Sequence, residues 1–235
     1  MKGVFVTGTD TNVGKTIIAS GIAAVLREKE VDVGVFKPFL SGISRDHPES
    51  DTSLLKEMSQ TPLSTEDITP FEFKEPLAPL VAGKLKGKLV NMTEVVRHWE
   101  TIRVKHDFFI VEGAGGIAVP LGEVFLVSDL IKALQIPIII VARPNLGTIN
   151  HTFLTVKYAQ SIGLSIAGIV INGVGEKADL SERTSPEIIE KLCGVPILGI
   201  TPKLTDVTNE SIQQMVKEHI DVSLFLNKMG VEKGE

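Results

Sequence analysis

Apolar and polar positions alternate along the chain in blocks that predict strands and helices in turn. Gly3 to Thr7 is a short β-branched and aromatic run, and Thr16 to Arg27 has the apolar spacing of a helix with one buried stripe. Further short apolar runs predict strands at Val33 to Phe36, Phe108 to Glu112, Pro137 to Ala142, Ser165 to Asn172 and Val195 to Ile200. The segments between them predict helices at Asp51 to Met58, Thr93 to Arg103, Ser128 to Leu134, Ile149 to Ile162 and Pro186 to Leu192.

This order predicts an α/β fold with a mostly parallel sheet and helices on both faces. Several predicted strands are continuous apolar runs, which are typical of parallel strands covered on both sides. Right-handed crossovers place the loops after the strands along one edge of such a sheet, where ligands bind. The proline-containing segment Thr61 to Leu89 is expected to be less regular, and it is either a loop that walls the pocket or a segment that packs against the sheet.

Composition narrows the class of protein. The chain has 235 residues, 43% of them apolar, which predicts a single domain over residues 1–235. A net charge of −5 disfavours nucleic acid and membrane surfaces as partners. Apolar runs such as Ile138 to Ala142 are far shorter than the roughly 20 residues of a membrane span, and Lys2 leads directly into a strand, so we expect a cytoplasmic protein. The single cysteine, Cys193, excludes an internal disulfide.

The stretch GTDTNVGKT, from Gly8 to Thr16, connects the first strand to the first helix. Five residues separate Gly8 from Gly14, where the familiar phosphate-binding loop has about four. The strand before it and the helix after it nevertheless favour a phosphate loop, because free N–H groups and the helix dipole attract an anion there. Lys15 would reach the outer phosphates and Thr16 would offer its hydroxyl to Mg²⁺. The alternative is an ordinary glycine-rich turn with an exposed lysine.

Charged side chains follow two further predicted strands. Lys37 comes directly after the second strand, with Ser41 nearby, and a second ammonium beside a phosphate site suits phosphoryl transfer. Glu112 ends the strand FFIV and is a candidate Mg²⁺ ligand, followed by a glycine cluster. Asp51 is a second candidate acid. The alternatives are a surface lysine at Lys37 and a helix N-terminal cap made by Asp51 with Ser50.

Together these motifs resemble a known family. GTDTNVGKT, FKPFLSG, ESD before a helix, EPLAP, VEGAGG, NLGTINH and VIN occur in this order. The chain is similar in this respect to dethiobiotin synthetase, an ATP-dependent enzyme of biotin synthesis with a P-loop NTPase fold. The resemblance extends to about Leu204, and the five-residue spacing of the phosphate loop is itself a feature of that family.

The resemblance implies a reaction and a set of residues. Enzymes of that family close the ureido ring of dethiobiotin from 7,8-diaminopelargonic acid, CO₂ and MgATP, through a carbamate and its mixed anhydride with phosphate. The residues that it implies as catalytic are Lys37, Lys15 and Thr11. Those that it implies for Mg²⁺ are Thr16, Asp51 and Glu112. Those that it implies for the nucleotide are Asn12, Val13, Gly14, Lys15, Thr16, Ile17, Asp51, Glu112, Gly113, Ala114, Gly115, Asn172, Gly173, Pro202, Lys203 and Leu204. Those that it implies for the substrate are Ser41, Gly147, Thr148 and Asn150.

The resemblance also implies a homodimer, in which the NLGTINH segment holds the carboxylate tail of the substrate in the partner's site. From local sequence alone, Thr148 could instead be an ordinary N-cap. Gly173 and Asn12 stand where some relatives have aspartate and glutamate, which leaves nucleotide selectivity open. Two other functions also stay open: a larger-substrate, ATP-dependent amide-forming synthetase, and a partitioning ATPase. A partitioning ATPase often has an early lysine in the loop, which this chain lacks.

Overall fold

The structure is a computed structural model that describes residues 2–228. Its strands are β1 (Lys2–Gly8), β2 (Val33–Phe36), β3 (Phe39–Ser41), β4 (Phe71–Phe73), β5 (Phe108–Gly116), β6 (Pro120–Gly122), β7 (Phe125–Leu126), β8 (Ile138–Ala142), β9 (Ile166–Val174) and β10 (Ile197–Pro202). Its helices are α1 (Lys15–Glu28), α2 (Asp51–Ser59), α3 (Thr65–Ile68), α4 (Pro79–Lys86), α5 (Met92–Ile102), α6 (Val127–Leu134), α7 (Thr148–Ser161), α8 (Leu180–Cys193), α9 (Asn209–His219) and α10 (Val222–Lys228).

Six strands form the central sheet, in the order β10, β9, β8, β1, β5, β2. All of its strand pairs are parallel, which confirms the predicted fold class. The chain runs from β1 towards one edge through β2 and from β8 towards the other through β9 and β10. Right-handed crossovers in these two directions place α1 on one face and α7 and α8 on the other.

Packing of the helices follows from the sequence pattern. On α1, Gly21 lets α9 approach so closely that an added Cβ would lie 2.3 Å from Cγ2 of Val216. On the other side of the molecule, Trp99 of α5 stacks on Phe36 at 5.5 Å between ring centroids and meets Phe109 edge-on at 5.1 Å. These rings are essentially buried, so they tie α5 to the strands that lead into the candidate site.

The segment Thr61 to Leu89, which was expected to be less regular, contains three short elements, α3, β4 and α4. Ser64 caps α3 by accepting a hydrogen bond from the Asp67 amide, and Pro79 occupies the start of α4, where a helix tolerates proline. The predicted start of one helix, at Pro186, was wrong. The helix begins at Leu180, because Asp179 and Glu182 form a capping box there and Pro186 lies inside the helix.

The chain beyond Leu204 was left without predicted elements, and it forms α9 and α10. Thr208 caps α9 by accepting from the Ser211 amide. Across residues 2–228, the structure contains no helix with the length and apolar character needed to cross a membrane.

Candidate active site

The phosphate loop, residues 8–16, joins β1 to α1. Gly14 is the N-cap of α1 with a φ of 90°, and no side chain caps this helix end. Asn12 is also in the left-handed region, with a φ of 55°. A Cβ at Gly14 would lie 2.0 Å from Nδ2 of Asn172, so only glycine fits there. The uncapped helix start is therefore available to an anion, as the motif predicts.

Lys15 is folded back over this loop. Its side chain is buried, and Nζ donates to the Asp10 carbonyl oxygen at 3.0 Å. Burial lowers the pKa of the Lys15 ammonium, although the nearby Glu112 carboxylate opposes this effect. An anionic phosphate in the loop would favour the charged ammonium, so the site is electrostatically suited to a negative ligand.

Asp10 makes three different contacts, two within the loop and one with Arg143 outside it. Its Oδ1 accepts from the Thr11 amide at 2.7 Å, its Oδ2 accepts from Nη2 of Arg143 at 2.6 Å, and its carbonyl accepts from Lys15. The pKa of the Asp10 carboxyl is lowered, first by the Thr11 amide and then by the Arg143 guanidinium. Arg143, which lies 133 residues away along the chain, is not among the predicted site residues.

A buried ion-pair cluster lies beside the loop. Nζ of Lys37 lies 2.6 Å from Oε1 of Glu112 and 2.9 Å from Oδ2 of Asp51. Lys37 is 4% exposed and Glu112 is 1% exposed, so Lys37 is not a surface lysine. Burial alone would lower the pKa of Lys37, but the two carboxylates outweigh it and raise that pKa. Lys37 and Glu112, predicted from two strand ends, and Asp51, predicted at a helix start, therefore meet at one point.

Burial and charge act differently on the two acids of this cluster. Burial raises the pKa of the Glu112 carboxyl, although the Lys37 ammonium opposes it. Burial also acts to raise the pKa of Asp51, but there Lys37, together with Thr16 and Lys15, outweighs burial and the pKa is lowered. The cap of α2 is made by Ser50, whose side chain accepts from the Ser53 amide. Asp51 is therefore free of the capping hydrogen bond and turns its carboxylate to Lys37.

The cluster has oxygen atoms suited to a divalent cation. Thr16 donates its hydroxyl hydrogen to Oε1 of Glu112 at 2.9 Å. Oε2 of Glu112 is buried and has no hydrogen-bond partner among the described residues, a costly state for a carboxylate oxygen. Two carboxylates and a hydroxyl are hard oxygen ligands of the kind that Mg²⁺ takes beside phosphates. The described chain has no group of three or more His, Cys, Asp or Glu side chains arranged to hold a metal.

A cavity of about 890 Å³ opens over the loop and the cluster. The predicted site residues that line it are Thr11, Asn12, Gly14, Lys15, Thr16, Ile17, Lys37, Ser41, Asp51, Glu112, Gly113, Ala114 and Gly115. Residues that sequence analysis did not assign also line it: Phe39, Leu40, Pro48, Glu49, Ser50, Leu54, Pro76, Leu77, Ala78, Pro79, Val119, Val207 and Ile212. The motif EPLAP was a signal for Pro76 to Pro79, because that motif carried part of the resemblance. No pattern pointed to Val207 or Ile212.

The side chain of Asn172 contacts the phosphate loop from behind. Its Nδ2 donates to the Val13 carbonyl at 2.9 Å, and its Oδ1 accepts from the Thr201 hydroxyl at 2.7 Å. The following Gly173 has a φ of 89°, and the amide of Lys203 donates to the carbonyl of Val174, so the ends of β9 and β10 are tied together. None of these residues lines the cavity described above.

The NLGTINH segment forms the start of α7. Gly147, with a φ of 98°, is the N-cap, and no side chain caps this helix. Thr148 is buried in the first turn and its hydroxyl lies 3.4 Å from that of Thr152, so the alternative of Thr148 as the N-cap was wrong. Neither Gly147, Thr148 nor Asn150 lines the cavity of this chain.

Comparisons with known proteins place this geometry among relatives. The profile of a family described as an AAA domain matches residues 2–211. A protein of Bacillus subtilis subsp. natto named ATP-dependent dethiobiotin synthetase BioD is 71% identical over 231 residues, which is 98% of this chain and 100% of that protein. The protein of the same name from Bacillus velezensis is 63% identical over 227 residues, which is 97% of this chain and 97% of that protein.

Solved structures at low identity share the fold. A septum site-determining protein MinD complexed with Mg-ADP, from Pyrococcus horikoshii OT3, has a TM-score of 0.57 at 16% identity and covers 99% of this chain and 96% of its own. A ParA family ATPase from Chlorobium tepidum TLS has a TM-score of 0.55 at 17% identity, over 99% and 95%. At such identities the likeness concerns the fold alone.

Proposed function

The chain belongs to the ATP-dependent dethiobiotin synthetase family, and from that premise we propose that it closes the ureido ring of dethiobiotin in biotin biosynthesis. The substrates are 7,8-diaminopelargonic acid, CO₂ and MgATP. The observation that carries the proposal is the buried Lys37, held between Glu112 and Asp51 beside the phosphate loop.

The reaction proceeds in three steps. One amine of the substrate adds to CO₂, loses a proton and becomes a carbamate. A carbamate oxygen then attacks the γ-phosphorus of ATP, and ADP leaves. The second amine attacks the carbonyl of this mixed anhydride, phosphate leaves with the bonding electrons, and the ring closes as the attacking nitrogen loses a proton. Each step asks the protein mainly to hold reactants close and to offset negative charge.

Lys37 is the group that meets the carbamate. Its raised pKa keeps the ammonium charged at neutral pH, which suits an anionic partner. Two anions, the carbamate and the γ-phosphate, must come into contact, and their repulsion is offset by Lys37 on one side and Lys15 on the other. Thr11 lies at the mouth of the cavity, where its hydroxyl can approach the reacting phosphate.

Thr16, Asp51 and Glu112 are the residues that would hold Mg²⁺. The unpartnered Oε2 of Glu112 is the observation that fits this role, since a bound cation would satisfy it. The ion supplies positive charge to the phosphate oxygens when it is bound. The other oxygen of Glu112, Oε1, accepts hydrogen bonds from Thr16 and Lys37. Those contacts orient the carboxylate before any ligand binds.

The nucleotide would lie along the loop, from Asn12 to Ile17 and over the backbone of Gly113, Ala114 and Gly115. Asn172 donates one amide hydrogen to Val13, which leaves its second amide hydrogen for a ring nitrogen of the base. Gly173 and the segment from Pro202 through Lys203 to Leu204 would complete the base site.

The tail of the substrate is assigned to a second subunit. Ser41 lines the cavity, but Gly147, Thr148 and Asn150 do not. The uncapped start of α7 is suited to a carboxylate, and in a two-fold dimer each subunit could offer it to the other. We propose on this basis a homodimer with shared sites, and we place it in the cytoplasm.

Turnover with purified protein tests the function. Phosphate release should require MgATP, bicarbonate and diaminopelargonate together, with dethiobiotin as the product. Lys37→Ala should abolish most ring closure and keep nucleotide affinity within a few-fold, whereas Lys15→Ala should weaken both. Release of phosphate without the diamine would contradict the proposed reaction, and equal loss of nucleotide affinity in both variants would contradict the role of Lys37.

A further inference from the structure

Asp10 connects three groups of the phosphate loop. One carboxylate oxygen accepts from the backbone of Thr11, and the carbonyl oxygen accepts from the ammonium of Lys15. These two hydrogen bonds fix the residues that bracket the reacting phosphates in the proposed reaction. The other carboxylate oxygen is held by the guanidinium of Arg143 at 2.6 Å. The orientation of Asp10 therefore depends on a residue outside the loop.

The sheet delivers Arg143 to this position. β8 lies next to β1, with Gly8 paired to Val141, and the amide of Thr9 donates to the Val141 carbonyl at 3.0 Å. Arg143 follows β8 by one residue and so emerges beside the beginning of the loop. Arg143 itself does not line the cavity.

We propose that Arg143 is a positioning residue of the phosphate loop: it orients the Asp10 carboxylate, which in turn holds Thr11 and Lys15 for phosphoryl transfer. The loop has one residue more than the common form, and Asn12 within it is a non-glycine residue in the left-handed region. A longer loop with such a residue has more conformations to restrict, so a tether at its first turn is useful. This inference rests on the proposed function for its kinetic consequence.

The test uses Arg143→Met, which keeps the apolar stem and removes the charge and the donors. We expect kcat for dethiobiotin formation to fall about three- to tenfold, the range for a partly exposed charged hydrogen bond. The KM for diaminopelargonate should stay within twofold. Arg143→Lys should retain most of kcat, because the contact uses a single guanidinium nitrogen.

The chain offers a closely matched control. Arg103 pairs with Glu100 at 2.5 Å, and their side chains are 38% and 51% exposed, against 37% and 48% for Arg143 and Asp10. Arg103→Met therefore removes an ion pair of similar exposure that is not part of the proposed site. The kcat of Arg103→Met should equal that of the wild type. In an Asp10→Asn background, which keeps an acceptor for Thr11, Arg143→Met should add little further loss.

A second readout does not depend on turnover. The Thr11 amide, which donates to Asp10, should exchange its hydrogen several-fold faster in Arg143→Met than in the wild type or in Arg103→Met. An inactive wild type with this exchange pattern would reject the proposed function and keep the positioning role. Unchanged Thr11 exchange would overturn the positioning role, as would a wild-type kcat in Arg143→Met or additive losses with Asp10→Asn.

Discussion

Lys37→Met removes the ammonium group from the buried cluster. We expect a large loss of stability, which added Mg²⁺ should reduce. Glu112 is 1% exposed and would keep a carboxylate with no ammonium beside it. Breaking a buried pair in this way costs about 3–5 kcal/mol. The Asp51 side chain is 41% exposed and water compensates it, so we take the lower half of that range. At about 2–4 °C per kcal/mol for a chain of this size, the melting temperature should fall by roughly 6–16 °C.

The loss should depend on pH with a defined sign. Burial already raises the pKa of Glu112, and without Lys37 it should rise further. A carboxyl whose pKa is higher in the folded than in the unfolded state stabilises the protein below its unfolded pKa, and this contribution is lost as pH rises through the folded pKa. The difference in melting temperature between Lys37→Met and the wild type should therefore widen from acid to neutral pH. Mg²⁺ should narrow it, because a cation would replace the missing charge.

Thermal unfolding at pH 5 and pH 8, with and without MgCl₂, measures both effects. Lys105→Met is the control, since Lys105 and Asp67 form an ion pair at 3.3 Å whose side chains are 48% and 33% exposed. That variant should lose little stability and respond to Mg²⁺ as the wild type does. The reasoning about the cluster is refuted if Lys37→Met and Lys105→Met melt alike, or if Mg²⁺ stabilises Lys37→Met no more than the wild type.

Three further predictions concern metal, base and assembly. Glu112→Gln keeps the size but loses the charge, so turnover should collapse at every Mg²⁺ concentration tried; near-normal turnover would remove Glu112 from the metal site. Thr201→Val removes the hydrogen bond to Asn172 and frees the Asn172 amide to rotate, so the binding preference for ATP over 7-deaza-ATP should shrink several-fold. The control is Thr52→Val, which loses a buried hydroxyl pair elsewhere and should keep that preference. Lys37→Ala mixed with Gly147→Trp should form heterodimers that regain activity in one of two sites; no recovery in proven heterodimers would place the tail site within one chain.

The sequence predicts the apolar parts of the parallel strands well, although β5 continues past Glu112 to Gly116, and the candidate site lies near the carboxyl ends of these strands. Lys37 and Glu112 follow apolar runs whose pattern defines the strand, so their meeting is a consequence of the sheet. The short elements after Thr61 were not predicted, because α3 spans only four residues and β4 three, and β4 exists by pairing with β3. Such short elements depend on tertiary contacts that no local pattern encodes.

The contact between Arg143 and Asp10 could not be predicted from the sequence, for a related reason. It joins residues far apart in sequence, and an arginine after a strand has no periodicity that marks its partner. Val207, which lines the cavity, precedes an amphipathic helix that was not predicted, so its place near the loop could not be inferred. Sequence patterns place elements in a sheet, whereas the side-chain partners between neighbouring strand ends come from the packed structure.

The order of strands places site residues with two different roles on the two sides of β1. On one side, β8, β9 and β10 provide Arg143, Asn172 and Thr201, which hold the phosphate loop through Asp10 and Val13. On the other side, β5 contains Glu112, and Lys37 follows β2 at the reacting centre. Substitutions on the first side should therefore reduce turnover or selectivity by degrees, because the loop keeps its own backbone. Those on the second side should abolish turnover, because they remove the charges that the reaction itself requires.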